Sequence, residues 1–307
     1  MIARVMAGQG YGVPIQAERR PDHLALVLGE RVLTFAQFDE RVRRAADVLA
    51  GLGVGAGDRV GVMVGNCMEW FEVVHAAGRL GAVSVPVNIH FKSAEAGWIL
   101  GDSEASVVVT SPDLVPSLAE RPELARLMVG EDYDAALSKA DPERPARPTD
   151  GDGWPVTMVY TSGTTGRPKG VVPGGGDLRR TAAGMGGMIE RWGLGPEDVH
   201  LMVGPAYHSG PAAWAQSHLA VGATVVIMPR WDAEECLALS ERHRVTSTHM
   251  VPSNFLRILD LPAEVQHRYD LSSYRVIVHA AAPCPVPVKR KFMDLVGKEK
   301  VFEYFGA

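Results

Sequence analysis

Tyr160-Thr161-Ser162-Gly163-Thr164-Thr165-Gly166-Arg167-Pro168-Lys169-Gly170 sets hydroxyls, glycines and one lysine directly behind an apolar run, Val156-Thr157-Met158-Val159. The run, taken through Tyr160, reads as a buried strand, and a helical stretch opens near Asp177, giving a strand–loop–helix setting of the kind that phosphate sites favour. Glycines at 163, 166 and 170 allow backbone conformations with positive φ that turn successive N–H groups toward one anion, and the Thr and Ser hydroxyls add donors. Lys169 adds a point charge suited to the outer phosphates of a nucleoside triphosphate. The spacing is not that of a Walker loop, which needs G-x-x-x-x-G-K-[ST]; five residues on from Gly163 stands Pro168. A flexible Gly/Thr surface turn would explain the composition but not the lysine behind a proline at its end.

Outward from this loop the chain alternates helices with short β-branched strands. Thr34-Phe35-Ala36-Gln37 is a capping-box candidate, and Phe38, Val42, Ala45, Leu49 and Leu52 follow at helical spacing until Gly53. Strands are expected over 59–64, 83–87 and 105–110, with helices over 69–80 and 93–100 between them. A second series places strands near 199–203, 223–228, 245–250 and 274–279, separated by helices near 177–192, 212–219, 233–242, 253–259 and 286–295. This alternation predicts an α/β fold of two lobes with mostly parallel sheets flanked by helices. Pro142, Pro145 and Pro148 lie in a charged stretch, so 141–153 reads as a linker between lobes 1–140 and 154–307. Gly51-Leu52-Gly53-Val54-Gly55-Ala56 satisfies a loose dinucleotide pattern, but it ends a helix and enters a strand, the reverse of that motif's setting.

Composition narrows the function. In 307 residues, 46% are apolar, enough for a sizeable core, and the net charge of −5 leaves no basic footprint for nucleic acid. Cys67, Cys236 and Cys284 lie far apart with no C-x-x-C spacing, which argues against a zinc site or a disulfide framework. No signal-like h-region and no apolar run long enough to span a bilayer is present, so the chain reads as cytoplasmic.

Four stretches in order carry a resemblance. Residues 160–171 resemble the signature loop of the adenylate-forming enzymes, which include acyl-CoA synthetases, luciferases and peptide-synthetase adenylation domains. Pro205-Ala206-Tyr207-His208-Ser209-Gly210 is similar to that family's proline–aromatic–histidine segment, His279-Ala280-Ala281-Ala282-Pro283 to its small-residue strand end, and Glu303-Tyr304-Phe305-Gly306-Ala307 to the opening of its Y-G-x-T-E motif. Gly57-Asp58-Arg59-Val60 and Pro86-Val87-Asn88 also fit, so the resemblance covers most of the chain.

The resemblance implies an AMP-forming acid–thiol ligase that uses ATP, Mg²⁺ and coenzyme A on a small-molecule carboxylic acid, fatty or otherwise apolar; a homodimer is compatible with it. Thr161, Ser162, Gly163, Thr164, Thr165, Gly166 and Lys169 would hold the β- and γ-phosphates. Ala281, Ala282, Pro283, Glu303 and Phe305 would meet the adenosine. Tyr207, His208, Gly210 and Trp214 would line the acyl site, with His208 as wall or gate and not as a proton-transfer group. No catalytic residue is assigned within the chain, and no metal ligand. The alternatives are an adenylation domain that loads a carrier protein and a non-catalytic nucleotide-binding fragment. Two departures stand out. Pro173-Gly174-Gly175-Gly176 interrupts the expected helix start, and the chain stops at Ala307, where the family would continue with Thr and the Mg²⁺-binding Glu. On that basis residues 1–307 read as a truncated amino-terminal domain without its carboxy-terminal domain, inactive when alone.

Overall fold

The computed structural model describes residues 11–144, 155–161, 168–172 and 178–304. Two parallel sheets dominate it. The first takes the order β6-β5-β3-β4-β7, built from β3 (Arg59–Met63), β4 (Val83–Pro86), β5 (Val107–Thr110), β6 (Ala125–Met128) and β7 (Val156–Thr157). The second takes the order β14-β13-β12-β10-β11-β1-β2. Its strands are β1 (Leu24–Leu28), β2 (Arg31–Thr34), β10 (Val199–Met202), β11 (Thr224–Ile227), β12 (Ser247–Met250), β13 (Val276–His279) and β14 (Val301–Glu303). All neighbours in both sheets pair in parallel except β1 and β2, a hairpin that turns through Gly29 at φ 60°. Positive φ at the first residue of a two-residue turn is the conformation glycine takes at least cost.

The expected elements are present, most with ends shifted by one or two residues. Thr34 caps the helix Phe35–Gly51 as predicted: its hydroxyl accepts from Gln37 N at 3.3 Å while its N–H donates to Gln37 Oε1 at 2.9 Å. The lobe boundary needs correcting. The hairpin β1–β2, far upstream of the 141–153 linker, belongs to the sheet of the second half through the β1–β11 pair, and β7, downstream of the linker, closes the sheet of the first half against β4. Each half therefore completes the other's sheet. One buried cluster accordingly runs from Val60, Val62 and Val107 through the helices Phe35–Gly51 and Met68–Arg79 to Leu26, Met202 and Val225.

The run 156–160, expected as one buried strand, is also corrected. It divides into β7 and the half-buried β8 (Val159–Thr161), because β8 leaves the sheet to pair antiparallel with β9 (Lys169–Val171).

Every residue of the helix Met68–Arg79 is buried, its polar ones included. Charge and imidazole survive there because partners reach them: Arg41 Nε donates to Glu72 at 2.6 Å, Arg31 to Glu69 at 2.8 Å, and His75 Nε2 lies 2.7 Å from Gln216 Oε1 on the helix Ser209–Val221. The His75–Gln216 contact joins the halves.

Burial pushes the imidazoles of His75 and His218 down to about 4, from 6.5. Between these values the unfolded chain binds protons that the folded chain does not, so stability falls as pH drops from about 6.5 toward 4, by about 1.4 kcal/mol per pH unit for each ring, and is independent of them above that window. Denaturant unfolding at pH 7, 6, 5 and 4.5 should show this loss, and His75→Gln should lower its slope by the share of one ring while His218 keeps the other.

Candidate active site

Because β10, β12, β13 and β14 run parallel, their carboxyl ends lie on one edge of the sheet, with Met250 opposite His279 and His279 opposite Glu303. The segments leaving that edge are 203–210, 251–252, 280–283 and Tyr304, which gathers three of the sequence-predicted stretches in one place. Open α/β sheets bind ligands at this edge, where backbone groups leave the ladder and become free to meet another molecule.

The turn after β10 is held from both sides. His208 N–H donates to Pro205 O at 3.1 Å, and His208 then stands as N-cap of the helix Ser209–Val221. Asn66, just past β3 in the other sheet, clamps the same turn: its Nδ2 donates to Gly204 O at 3.0 Å and to Met228 O at 2.9 Å, while its Oδ1 accepts from Ala206 N at 2.8 Å. Sequence reasoning missed Asn66, since nothing local announces bonds to residues well over a hundred positions away. Tyr207 packs edge-on to His208, ring centroids 4.8 Å apart; His208 is exposed, and partial desolvation lowers its pKa, favouring the neutral ring. Gly210 is half-buried directly against His249: a Cβ there would lie 2.9 Å from the imidazole Cε1 and Nε2.

Trp214, expected to line the acyl site, is only 1% exposed and packs among Trp192, His200 and His218. Its ring serves the core beneath the turn.

The small-residue segment after β13 has a backbone reason for its composition. Ala281 takes φ 73°, a left-handed conformation that costs a non-glycine residue about 1–3 kcal/mol and is concentrated at binding sites. Ala281, Ala282 and Pro283 are all exposed. Beside them Tyr304 N–H donates to His279 O at 3.3 Å, and the Glu303 carboxylate accepts from Lys289 Nζ at 2.8 Å with His279 Nε2 at 3.8 Å. The Lys289 bond holds Glu303 below the usual carboxylate range. Lys289 itself was not foreseen; a lysine on the next helix carries no local signal.

The loop that opened the sequence reading is the connection of a hairpin. Thr161 pairs with Lys169, Tyr160 with Gly170 and Val159 with Val171, so strand precedes and follows it, and the helix Leu178–Trp192 begins only after β9. This corrects the strand–loop–helix setting. Thr161 and Lys169 are exposed at the base of the connection. Ser162, Gly163, Thr164, Thr165 and Gly166, and likewise Phe305, lie outside the described residues. The hairpin is tied to the first sheet's layer by Tyr160, whose hydroxyl donates to Asp102 Oδ2 at 2.7 Å. Gly170 makes room for that ring, since a Cβ there would sit 3.0 Å from Tyr160 Cζ.

Among the described residues no group of three or more His, Cys, Asp or Glu side chains is placed to hold a metal ion. Among them also, no helix is long and apolar enough to cross a membrane.

The chain belongs to the AMP-binding enzyme family, whose model matches residues 13–307. It is 32% identical over 294 residues to a feruloyl-CoA synthase from Amycolatopsis sp, covering 94% of this chain and 58% of that protein. It is also 32% identical over 262 residues to the long-chain-fatty-acid–CoA ligase FadD13 from Mycobacterium tuberculosis, covering 82% of this chain and 50% of that one. Its fold is similar to the crystal structure of the N-terminal domain of FACL13 from Mycobacterium tuberculosis, with TM-score 0.81 and 24% identity over 96% of this chain and 74% of that chain. The chain thus spans little more than half the length of these curated relatives.

Two substitutions test the geometry. Asn66→Ala removes three hydrogen bonds and leaves two carbonyls and one N–H unpaired, so unfolding free energy should fall by about 2–4 kcal/mol in denaturant titration. Tyr160→Phe keeps the packing and removes only the bond to Asp102; faster amide hydrogen exchange in β8 and β9, with the melting temperature of the whole chain nearly unchanged, is the expected result.

Proposed function

We propose that this chain, as part of a protein of its relatives' length, binds ATP and a carboxylic acid and joins them to an acyl-adenylate, which then passes its acyl group to coenzyme A. In the first step a carboxylate oxygen attacks the α-phosphorus, an O–P bond forms, the bond to the β-phosphate bridge breaks and pyrophosphate leaves. In the second the coenzyme A sulfur attacks the acyl carbon as thiolate, and AMP departs. Such chemistry asks the protein chiefly for positioning and for donors aimed at phosphoryl oxygens.

The observation that carries this reading is the convergence of 203–210, 280–283 and Tyr304 on one sheet edge in a chain that also bears the 161–169 loop. Lys169 and the Thr161 hydroxyl, exposed at the foot of that loop, would meet the departing phosphates. The left-handed backbone at Ala281 would present the small-residue segment to adenosine. Tyr207, His208 and Gly210 would wall the acyl site, His208 as a neutral ring that shapes the site without moving a proton. The acid would have an apolar body; the relatives are named for acids as different as ferulic and long-chain fatty acids, so the name of any one of them does not transfer.

A pyrophosphate-release screen of the protein expressed from its complete reading frame, against a panel of carboxylic acids with and without coenzyme A, tests the reading. Acid-dependent release with thioester formation supports it, and release that needs no coenzyme A but loads a carrier protein would turn it toward an adenylation domain. In the same assay Lys169→Ala should lower kcat/KM for ATP by a factor that corresponds to about 1.5–3 kcal/mol, the loss of one charge-assisted phosphate contact. Unchanged ATP kinetics would remove the loop from the phosphate site.

A further inference from the structure

Glu303 is the last residue of β14 and stands opposite His279, the last residue of β13, beyond which the chain runs into exposed Ala281, Ala282 and Pro283. The groups packed around its carboxylate meet one oxygen of the two. Lys289 Nζ, on the helix Val286–Val296, donates to Oε2 at 2.8 Å, and Nε2 of the buried His279 lies 3.8 Å from the same atom. Among the described residues Oε1 has no hydrogen-bond partner. The Glu303 side chain is 49% exposed and that of Lys289 24%, so the acceptor is open while the cation that holds it is sheltered.

Stability does not account for this lysine. An ion pair to a half-exposed carboxylate contributes little to folding. Lys289 also closes the first turn of its helix, the end at which the helix dipole disfavours a cation, and no acidic residue of that turn offsets it. What the pair produces is a carboxylate held in place, balanced in charge and open through one oxygen. Ionised at neutral pH, it can only accept a hydrogen bond. Among purines that property discriminates: adenine presents an amine where guanine and hypoxanthine present a carbonyl oxygen. An unbalanced carboxylate would repel the triphosphate that comes with the base, and a side chain fixed beforehand spares binding the cost of ordering it.

We propose that Lys289 is a positioning residue of the nucleotide site: by holding Oε2 of Glu303 it fixes and neutralises a carboxylate whose Oε1 accepts from the exocyclic amine of adenine, so that the pair selects ATP over triphosphates with a carbonyl at that place. The inference rests on the acid-activating reading above. It explains why a cation stands where the helix dipole opposes it, on the helix that directly follows the exposed small-residue segment.

The test uses the protein from its complete reading frame, the best acid of the screen above, and three nucleotides: ATP, inosine triphosphate, which replaces the amine by a carbonyl, and 2′-deoxy-ATP, which keeps the amine. Kinetics of pyrophosphate release should favour ATP over inosine triphosphate by about tenfold or more in kcat/KM. Lys289→Met should narrow that ratio by about threefold or more, through KM for ATP and with KM for the acid unchanged, and Lys289→Arg should restore most of it. Glu303→Gln, whose amide can donate as well as accept, should narrow the ratio by raising the use of inosine triphosphate. A pair with only a structural role would lower the melting temperature and weaken both nucleotides alike. That result, an equal use of ATP and inosine triphosphate by the wild type, or a ratio that either Lys289→Met or Glu303→Gln leaves intact overturns this inference alone. Should Lys289→Met narrow instead the ratio of ATP to 2′-deoxy-ATP, the carboxylate serves the ribose and the assignment to the amine is overturned. Failure to release pyrophosphate with any nucleotide and any acid overturns the acid-activating reading beneath it.

Discussion

Parallel pairing of β10, β12, β13 and β14 is the constraint from which the site follows. Antiparallel neighbours would send alternate segments to opposite edges. With all four strands pointing one way, the Pro205–Gly210 turn, the Ala280–Pro283 segment and Tyr304 have to emerge together. The register sharpens this, since Met250, His279 and Glu303 are direct neighbours, and the bonds from Ala280 N to Met250 O and from Tyr304 N to His279 O carry the alignment one step beyond the ladder. Parallel strands need crossover connections, and here helices supply them and bury the sheet faces.

Two polar devices hold that edge to the rest of the molecule. Asn66 reaches from the end of β3 into the turn after β10, and His75, inside a wholly buried helix, meets Gln216 on the helix that His208 caps. Both cross between sheets that already share strands, so the Pro205–Gly210 turn is braced by the half of the chain that contributes none of its own residues to it. Breaking either leaves buried groups unpaired, which costs more than the bond was worth in water. The hairpin β8–β9 is attached more lightly, through a hydroxyl–carboxylate bond from Tyr160 to Asp102, with Gly170 leaving room for the hydroxyl end of that ring.

The histidines of one layer meet different surroundings. Trp214, His200, His218 and Ser247 form a stacked group in the interior in which the Ser247 hydroxyl bridges the two imidazoles, whereas His249, two residues along β12 from Ser247 and in contact with the same tryptophan, packs against Gly210 outside that network. Residue type alone does not separate these histidines; the presence or absence of a partner does.

The alternation of helices and β-branched strands, the capping box at Thr34 and the glycine-rich loop were legible in the sequence because each depends on neighbours a few residues away. Four short motifs in order were enough to place the chain among adenylate-forming enzymes, since each motif is a short contiguous run of residues. Hidden from the sequence were the hairpin that β8 and β9 make around the loop, the exchange of β1, β2 and β7 between the sheets, and the contacts of Asn66 and Lys289. All of these depend on hydrogen bonds or burial between distant segments. The hairpin β1–β2, which turns through Gly29, meets its partner strand β11 only in the folded chain. Local pattern decides which element a residue joins; which side chains are left paired, and which are left facing a ligand, is decided only when the sheets close.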